Sequence, residues 1–187
     1  MTPFVINSCL QSMQILVDSN EQLTARAQRR YQEFSVPYLR QKLDYGDYTY
    51  NFMLPDGSLR HQPDVRVYGD VVIERKMSLT ELSNNLCQEK ARLKREFQRA
   101  AKCGAKIYLL VEDASWEKLI AGKYNTRFHP NAYEAALLGI MAEFDISPIF
   151  CREETSGRLI NDILYRELKK RLERGDYDGE KYNTSIH

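Results

Sequence analysis

Three short apolar runs constrain this chain more than any other feature. Ile15-Leu16-Val17, Val71-Val72-Ile73 and Ile107-Tyr108-Leu109-Leu110-Val111 are rich in strand-favouring residues and end on Asp18, Glu74 and Glu112. Runs that are apolar without alternation read as strands buried on both faces, which need helices above and below them. Strand ends are also where catalytic groups often surface.

The stretches between the runs supply those helices. Residues 21–36 read as a helix that stops before Pro37, with a second strand at Tyr38–Leu43. Gly46–Leu54 reads as a strand entering a hairpin at Pro55-Asp56-Gly57, returning through Asp64–Tyr68 to a central strand at Val71–Lys76. Leu79, Leu82, Leu86, Leu93, Phe97 and Ala100 form one stripe at helical period, predicting a helix from Leu79 to Lys102 that Gly104 ends. A strand at Lys106–Glu112, a helix at Asn131–Phe144 capped by Asn131, a strand at Ser147–Cys151 and a helix from about Ser156 to Arg174 follow. This order implies an α/β fold, a mixed central sheet flanked by helices in a single domain spanning 14–174. Residues 1–13 read as an N-terminal extension and 175–187 as a polar C-terminal tail. The segment from Asp113 to Pro130 is the least legible.

Composition excludes more than it selects. With 27 basic and 26 acidic residues in 187, any nucleic-acid surface has to come from segregated charge. Cys9, Cys87, Cys103 and Cys151 form no Cys-x-x-Cys pair, arguing against a zinc knuckle or a disulfide framework. His61, His129 and His187 show no ligand spacing, and the phosphate-binding Gly-x-x-x-x-Gly-Lys motif of nucleotide-driven motors is missing. No basic leader or membrane-spanning apolar run is visible, so a cytoplasmic protein without a nucleotide cofactor is expected.

Glu74-x-Lys76 carries the chemical signal. Side chains two apart on a strand share a face, so a carboxylate that could ligate a metal stands beside an ammonium that could meet water or phosphate. Alone the pair is a weak signal, because surface strands alternate charges too. A hairpin fold, however, would bring Asp47 from 27 residues away to the side of Glu74. Two acids and a lysine are the minimum for metal-assisted phosphodiester hydrolysis. On the following helix Arg92, Arg95, Arg99 and Lys102 form a basic stripe, and residues 75–106 hold nine Lys/Arg against three Glu. Such a stripe can track a phosphate backbone or simply be a solvated face that Glu89 and Glu96 partly balance.

These segments resemble the XPF-type structure-specific endonucleases of the PD-(D/E)XK, restriction-endonuclease-like superfamily. Val17-Asp18-Ser19-Asn20-Glu21 is similar to the family's Val-Asp-x-Arg-Glu, Gly46-Asp47-Tyr48 to its Gly-Asp-Tyr, and Ile73-Glu74-Arg75-Lys76 to its Glu-Arg-Lys. Order and approximate spacing agree, and the likeness runs over roughly residues 14–172. The resemblance implies a Mg²⁺-dependent endodeoxyribonuclease, with Mn²⁺ able to substitute. Asp47 and Glu74 would be metal ligands, Lys76 the charge that positions water or stabilises the transition state, and Asp18 and Glu21 neighbouring acids completing the site. Arg75 would support DNA binding. It further implies branched or junction DNA as partner, in recombination or repair, and a compact form like stand-alone phage or bacterial nucleases. A homodimer through the helices after Asn131 is a further expectation. Asn20 stands where the family has arginine, and a tandem helix-hairpin-helix module is not expected within these residues.

Two rivals remain open. Pro63-Asp64, ten residues before Glu74, could supply the aspartate in place of Asp47. Alternatively, the chain is a catalytically silent DNA-binding or scaffolding subunit.

Overall fold

A computed structural model describes residues 1–179 of the chain; the remainder of the predicted tail, 180–187, lies outside the described residues. The elements run α1 Pro3–Gln11, β1 Gln14–Asp18, α2 Ala25–Gln32, β2 Tyr38–Gln41, β3 Tyr48–Asn51, β4 Val71–Lys76, α3 Leu79–Cys87, α4 Lys90–Lys102, β5 Lys106–Glu112, α5 Trp116–Ile120, α6 Pro130–Phe144, β6 Ser147–Cys151 and α7 Glu153–Arg174. The six strands form one mixed sheet in the order β2-β1-β3-β4-β5-β6. β3 is antiparallel to both neighbours, whereas β1 with β2, and β4 with β5 and β6, are parallel. This is the expected α/β architecture.

Alternation along the strands gives the sheet two different faces. Ile15, Val17, Tyr48, Tyr50, Val71 and Ile73 pack with α1, α2 and α7 through Cys9, Tyr31, Ile160, Leu164 and Leu168. Val72, Ile107, Leu109 and Val111 pack on the other face with α3, α4 and α6 through Leu82, Leu93, Phe97, Tyr133 and Leu137. Helices on both faces therefore keep the apolar runs dry.

Several expected boundaries shift. The stripe from Leu79 to Ala100 belongs to two helices, since Glu89 has non-helical backbone (φ −115°, ψ 17°) between α3 and α4. Both pieces bury their apolar residues in the same cluster, so the apolar period runs through the break unaltered. Asp64–Tyr68 forms no strand: Val67 makes an isolated bridge to Leu43, and both pack with Leu16. Asp64 sits in an exposed turn with left-handed backbone (φ 61°). β2 and β3 are shorter than expected because their flanks turn away, Met53 bridging to Leu59. The α6 cap is His129 rather than Asn131, with Pro130 occupying the first helical position, where a missing N–H costs nothing.

Candidate active site

The Tyr48↔Ile73 register sets Asp47 beside Glu74 across the β3–β4 pair. Asp47 is fixed at several points. Its N–H donates to Ile73 O at 2.9 Å, its carbonyl accepts from Asp18 N at 2.8 Å, and its Oδ2 accepts from Arg75 N at 2.7 Å. Gly46 before it has φ +71°, and a Cβ there would lie 2.8 Å from Val72 Cβ, so only glycine fits this turn.

Glu74 and Lys76 emerge on the α3/α4 face, one pleat beyond Val72. They are 5% and 6% exposed, and Lys76 Nζ donates to Glu74 Oε1 at 2.5 Å. Burial works against the lysine's charge, but the Glu74 and Asp47 carboxylates more than offset it and hold the ammonium above the usual lysine range. Burial, then the nearby Glu74 carboxylate, push Asp47 well above the usual carboxylate range despite the opposing pull of Lys76. Two acids compete here for one ammonium, the electrostatic setting in which a divalent cation is welcome.

A third carboxylate reaches the same place from α4. Glu96 Oε1 accepts the Gly46 N–H at 3.0 Å, and burial followed by the Glu74 charge raises its pKa. In the sequence Glu96 reads only as a partial balance to the basic stripe, should that stripe be a solvated face. The readable signal was its position next to Phe97, on the border of the apolar stripe. Arg99, one turn further on, donates to Asp44 Oδ2 at 3.0 Å and to Asp44 O at 2.7 Å. Together they fasten the 44–47 loop to α4.

The remaining expected site residues divide between other settings. Asp18 lies beside Asp47 in the sheet, but its carboxylate accepts from Lys42 Nζ at 3.3 Å and Leu43 N at 3.1 Å. Glu21 Oε1 accepts from Arg30, Tyr48 OH and Arg75 at 3.1–3.2 Å, on the reverse face of the sheet. Arg75 points to that face too, where it also meets the wholly buried Glu112 at 3.5 Å. Arg30 and Arg26 complete this network on Glu112, at 3.0 Å and 2.6 Å. The buried Arg30, missed in the sequence, carried only one hint: it follows Ala27 and precedes Tyr31 on the apolar side of α2. In the basic stripe, Arg92 pairs with Glu89 and Arg99 with Asp44. Arg95 and Lys102 are exposed.

Donor chemistry fits a hard divalent cation. Asp47 and Glu74 offer carboxylate oxygens, and Mg²⁺ is commonly held by one or two carboxylates, with waters and substrate phosphate completing its shell. Among the described residues no group of three or more His, Cys, Asp or Glu side chains is arranged to hold a metal ion.

The ERCC4 domain family model matches residues 17–163, and the chain belongs to that family. In structure it is similar to XPF from Aeropyrum pernix, with a TM-score of 0.58 and 16% identity over 88% of this chain and 69% of that one. A structure titled XPF from Aeropyrum pernix, complex with DNA, matches with a TM-score of 0.57 and 18% identity over 85% and 66% of the respective chains. At such identities the likeness establishes the fold, that of an XPF-type nuclease domain. The chain spans about two thirds of the length of those relatives. No curated protein sequence matches.

Proposed function

We propose that this ERCC4-family domain is a metal-dependent DNA endonuclease acting on branched or junction-containing DNA. The observation that carries the reading is the meeting of Asp47, Glu74 and Lys76 on one face of the β3–β4 pair. Asp47 and Glu74 would hold Mg²⁺ or Mn²⁺, which when bound supplies Lewis-acid polarisation of the scissile phosphate and a more acidic water. Lys76 remains cationic through neutral pH, so its role is to place charge beside the phosphate; it does not accept a proton. Asp18 and Glu21 support the site from outside it, Asp18 through its N–H on Asp47 O and Glu21 through Arg75, whose own N–H holds Asp47 Oδ2.

DNA as substrate is supported by family membership and by the DNA complex of the Aeropyrum pernix relative. Among the described residues no helix is long and apolar enough to cross a membrane.

The test is cleavage of labelled fork, flap and plain duplex DNA with Mg²⁺, Mn²⁺ or EDTA. Nicking that needs the cation and is lost in Asp47→Asn and Glu74→Gln, while Asp64→Asn cuts normally, supports the proposal. Binding without cutting under every metal condition would replace it with the silent DNA-binding module.

A further inference from the structure

Within the segment least legible in sequence, 113–130, residues 122–129 have an ordered and alternating form. Tyr124, Thr126 and Phe128 turn inward. The Tyr124 ring meets Tyr133 edge-on with centroids 5.1 Å apart and its hydroxyl donates to Phe128 O at 2.7 Å. Thr126 Oγ1 is 2.7 Å from Ser83 Oγ, and Phe128 stacks on Tyr133 at 5.3 Å. Lys123, Asn125, Arg127 and His129 point outward and are exposed. Between Glu117 and Glu134 the chain has no acidic residue at all. Lys123 and Arg127 form no ion pair among the described residues, in contrast to Arg92 and Arg99 of α4, which are held by Glu89 and Asp44.

Position gives this cationic ledge a meaning. Asn125 N donates to Thr80 Oγ1 at 3.0 Å, and Tyr133 OH donates to Leu79 O at 2.8 Å, so the segment is bolted to the first turn of α3. That turn follows Lys76 almost directly, and four residues of chain reach at most about 14 Å. Allowing for the further two-residue steps to Glu74 and to Lys123 or Arg127, the ledge stands within about one duplex turn, roughly 34 Å, of the Asp47–Glu74 pair, since each strand carries one phosphate per ~3.4 Å of duplex axis.

We propose that residues 122–129 are a contact surface for the DNA phosphodiester backbone, with Lys123 and Arg127 each neutralising one phosphate of the strand that leaves the cleavage site. The anchored aromatic residues pre-order the ledge, so little loop entropy is lost on binding. This assignment rests on the nuclease reading.

Binding of a fluorescein-labelled forked duplex, followed by anisotropy in EDTA from 50 to 200 mM KCl, tests it without requiring cleavage. The Lys123→Ala/Arg127→Ala protein should bind about tenfold more weakly at 100 mM salt, and its slope of log K against log salt should flatten by about 1.8, the value for two phosphate contacts. Lys123→Arg/Arg127→Lys should keep the original slope. Lys169→Ala/Lys170→Ala, the same charge change on α7 at the opposite face of the sheet, should also leave it unaltered. Equal flattening in both alanine pairs, or none in the first, overturns the ledge assignment while leaving the nuclease reading intact. If the unaltered chain shows no salt-dependent binding at all, both fall together.

Discussion

At Asp47, stability and chemistry pull in opposite directions. Its pKa is raised in the folded chain by burial and by Glu74, so this residue stabilises the fold only while protonated, and that stability is lost as pH rises through the shifted value. Asp47→Asn should therefore abolish metal-dependent cleavage yet raise the stability of the metal-free protein by about 1 kcal/mol, an ordinary size for a single substitution. The gain should appear at pH 8 and vanish at pH 4, which thermal unfolding at the two values would reveal. Glu96 offers a finer dissection, because it accepts the Gly46 N–H while facing Glu74. If its role is to hold the Gly46–Asp47 turn, Glu96→Gln should keep kcat within about threefold and Glu96→Ala should lower it by about tenfold or more with KM little changed, the cost of losing one hydrogen bond to a site loop. Equal damage from both would instead mark its charge as the important property.

Elements were legible where burial repeats along the chain. β1, β4 and β5 lie in the middle of the sheet, and their unbroken apolar runs announce it. The boundary between α3 and α4 was hidden because both helices bury one common stripe, and the period carries no mark of the turn at Gln88-Glu89. Asp64–Tyr68 reads like a strand through Val65 and Val67, but only Val67 finds a partner, in Leu43. The triad was readable because Glu74 and Lys76 share a strand face and Gly46 marks a turn. Glu96 and Arg30 were not, since each enters its cluster through contacts between elements far apart in sequence. The 44–47 loop between β2 and β3 gives the element-scale prediction. Gly46→Ala would place Cβ 2.8 Å from Val72 Cβ at φ +71°, and should cost roughly 2–3 kcal/mol, within the range for strained backbone and overpacking. Urea unfolding of Gly46→Ala and Val72→Gly, singly and together, should show a less than additive loss in the double variant, since only removal of the Val72 Cβ takes away the closest contact.

Across the whole molecule, the sheet separates the face that carries Asp47, Glu74 and Lys76 from an ionic one. Arg30 is the hub of the ionic face, touching Glu21, Tyr48, Glu112 and Ser156 and so tying α2 to β3, β5 and α7. Arg30→Met leaves Glu112 short of a partner in a dry site and should destabilise by about 3–5 kcal/mol, as breaking one side of a buried ion pair does. Global stability should also respond to acid through His61. This imidazole is pushed down to about 4 by burial and then by Arg60, so the fold prefers it neutral. Its contribution is fully present above its ordinary value of 6.5 and is lost as pH falls from there to about 4. Denaturant titrations at pH 7 and 4.5 should show a loss on the order of 3 kcal/mol that His61→Leu removes.

Parity along β4 has a consequence for how this site can change. Glu74 and Lys76 belong to the Asp47 side and Arg75 to the ionic side only because neighbouring residues on a strand face opposite ways. Adding or deleting one residue between Val71 and Glu74 would turn the guanidinium toward Asp47 and drive Glu74 and Lys76 into the Glu21–Glu112 network. Substitutions can tune this strand one side at a time, whereas an odd shift in length exchanges its two sides at once. Variation in length is thus expected in the 55–70 connection, which lies outside the Asp47–Glu74–Lys76 cluster, and not within β4.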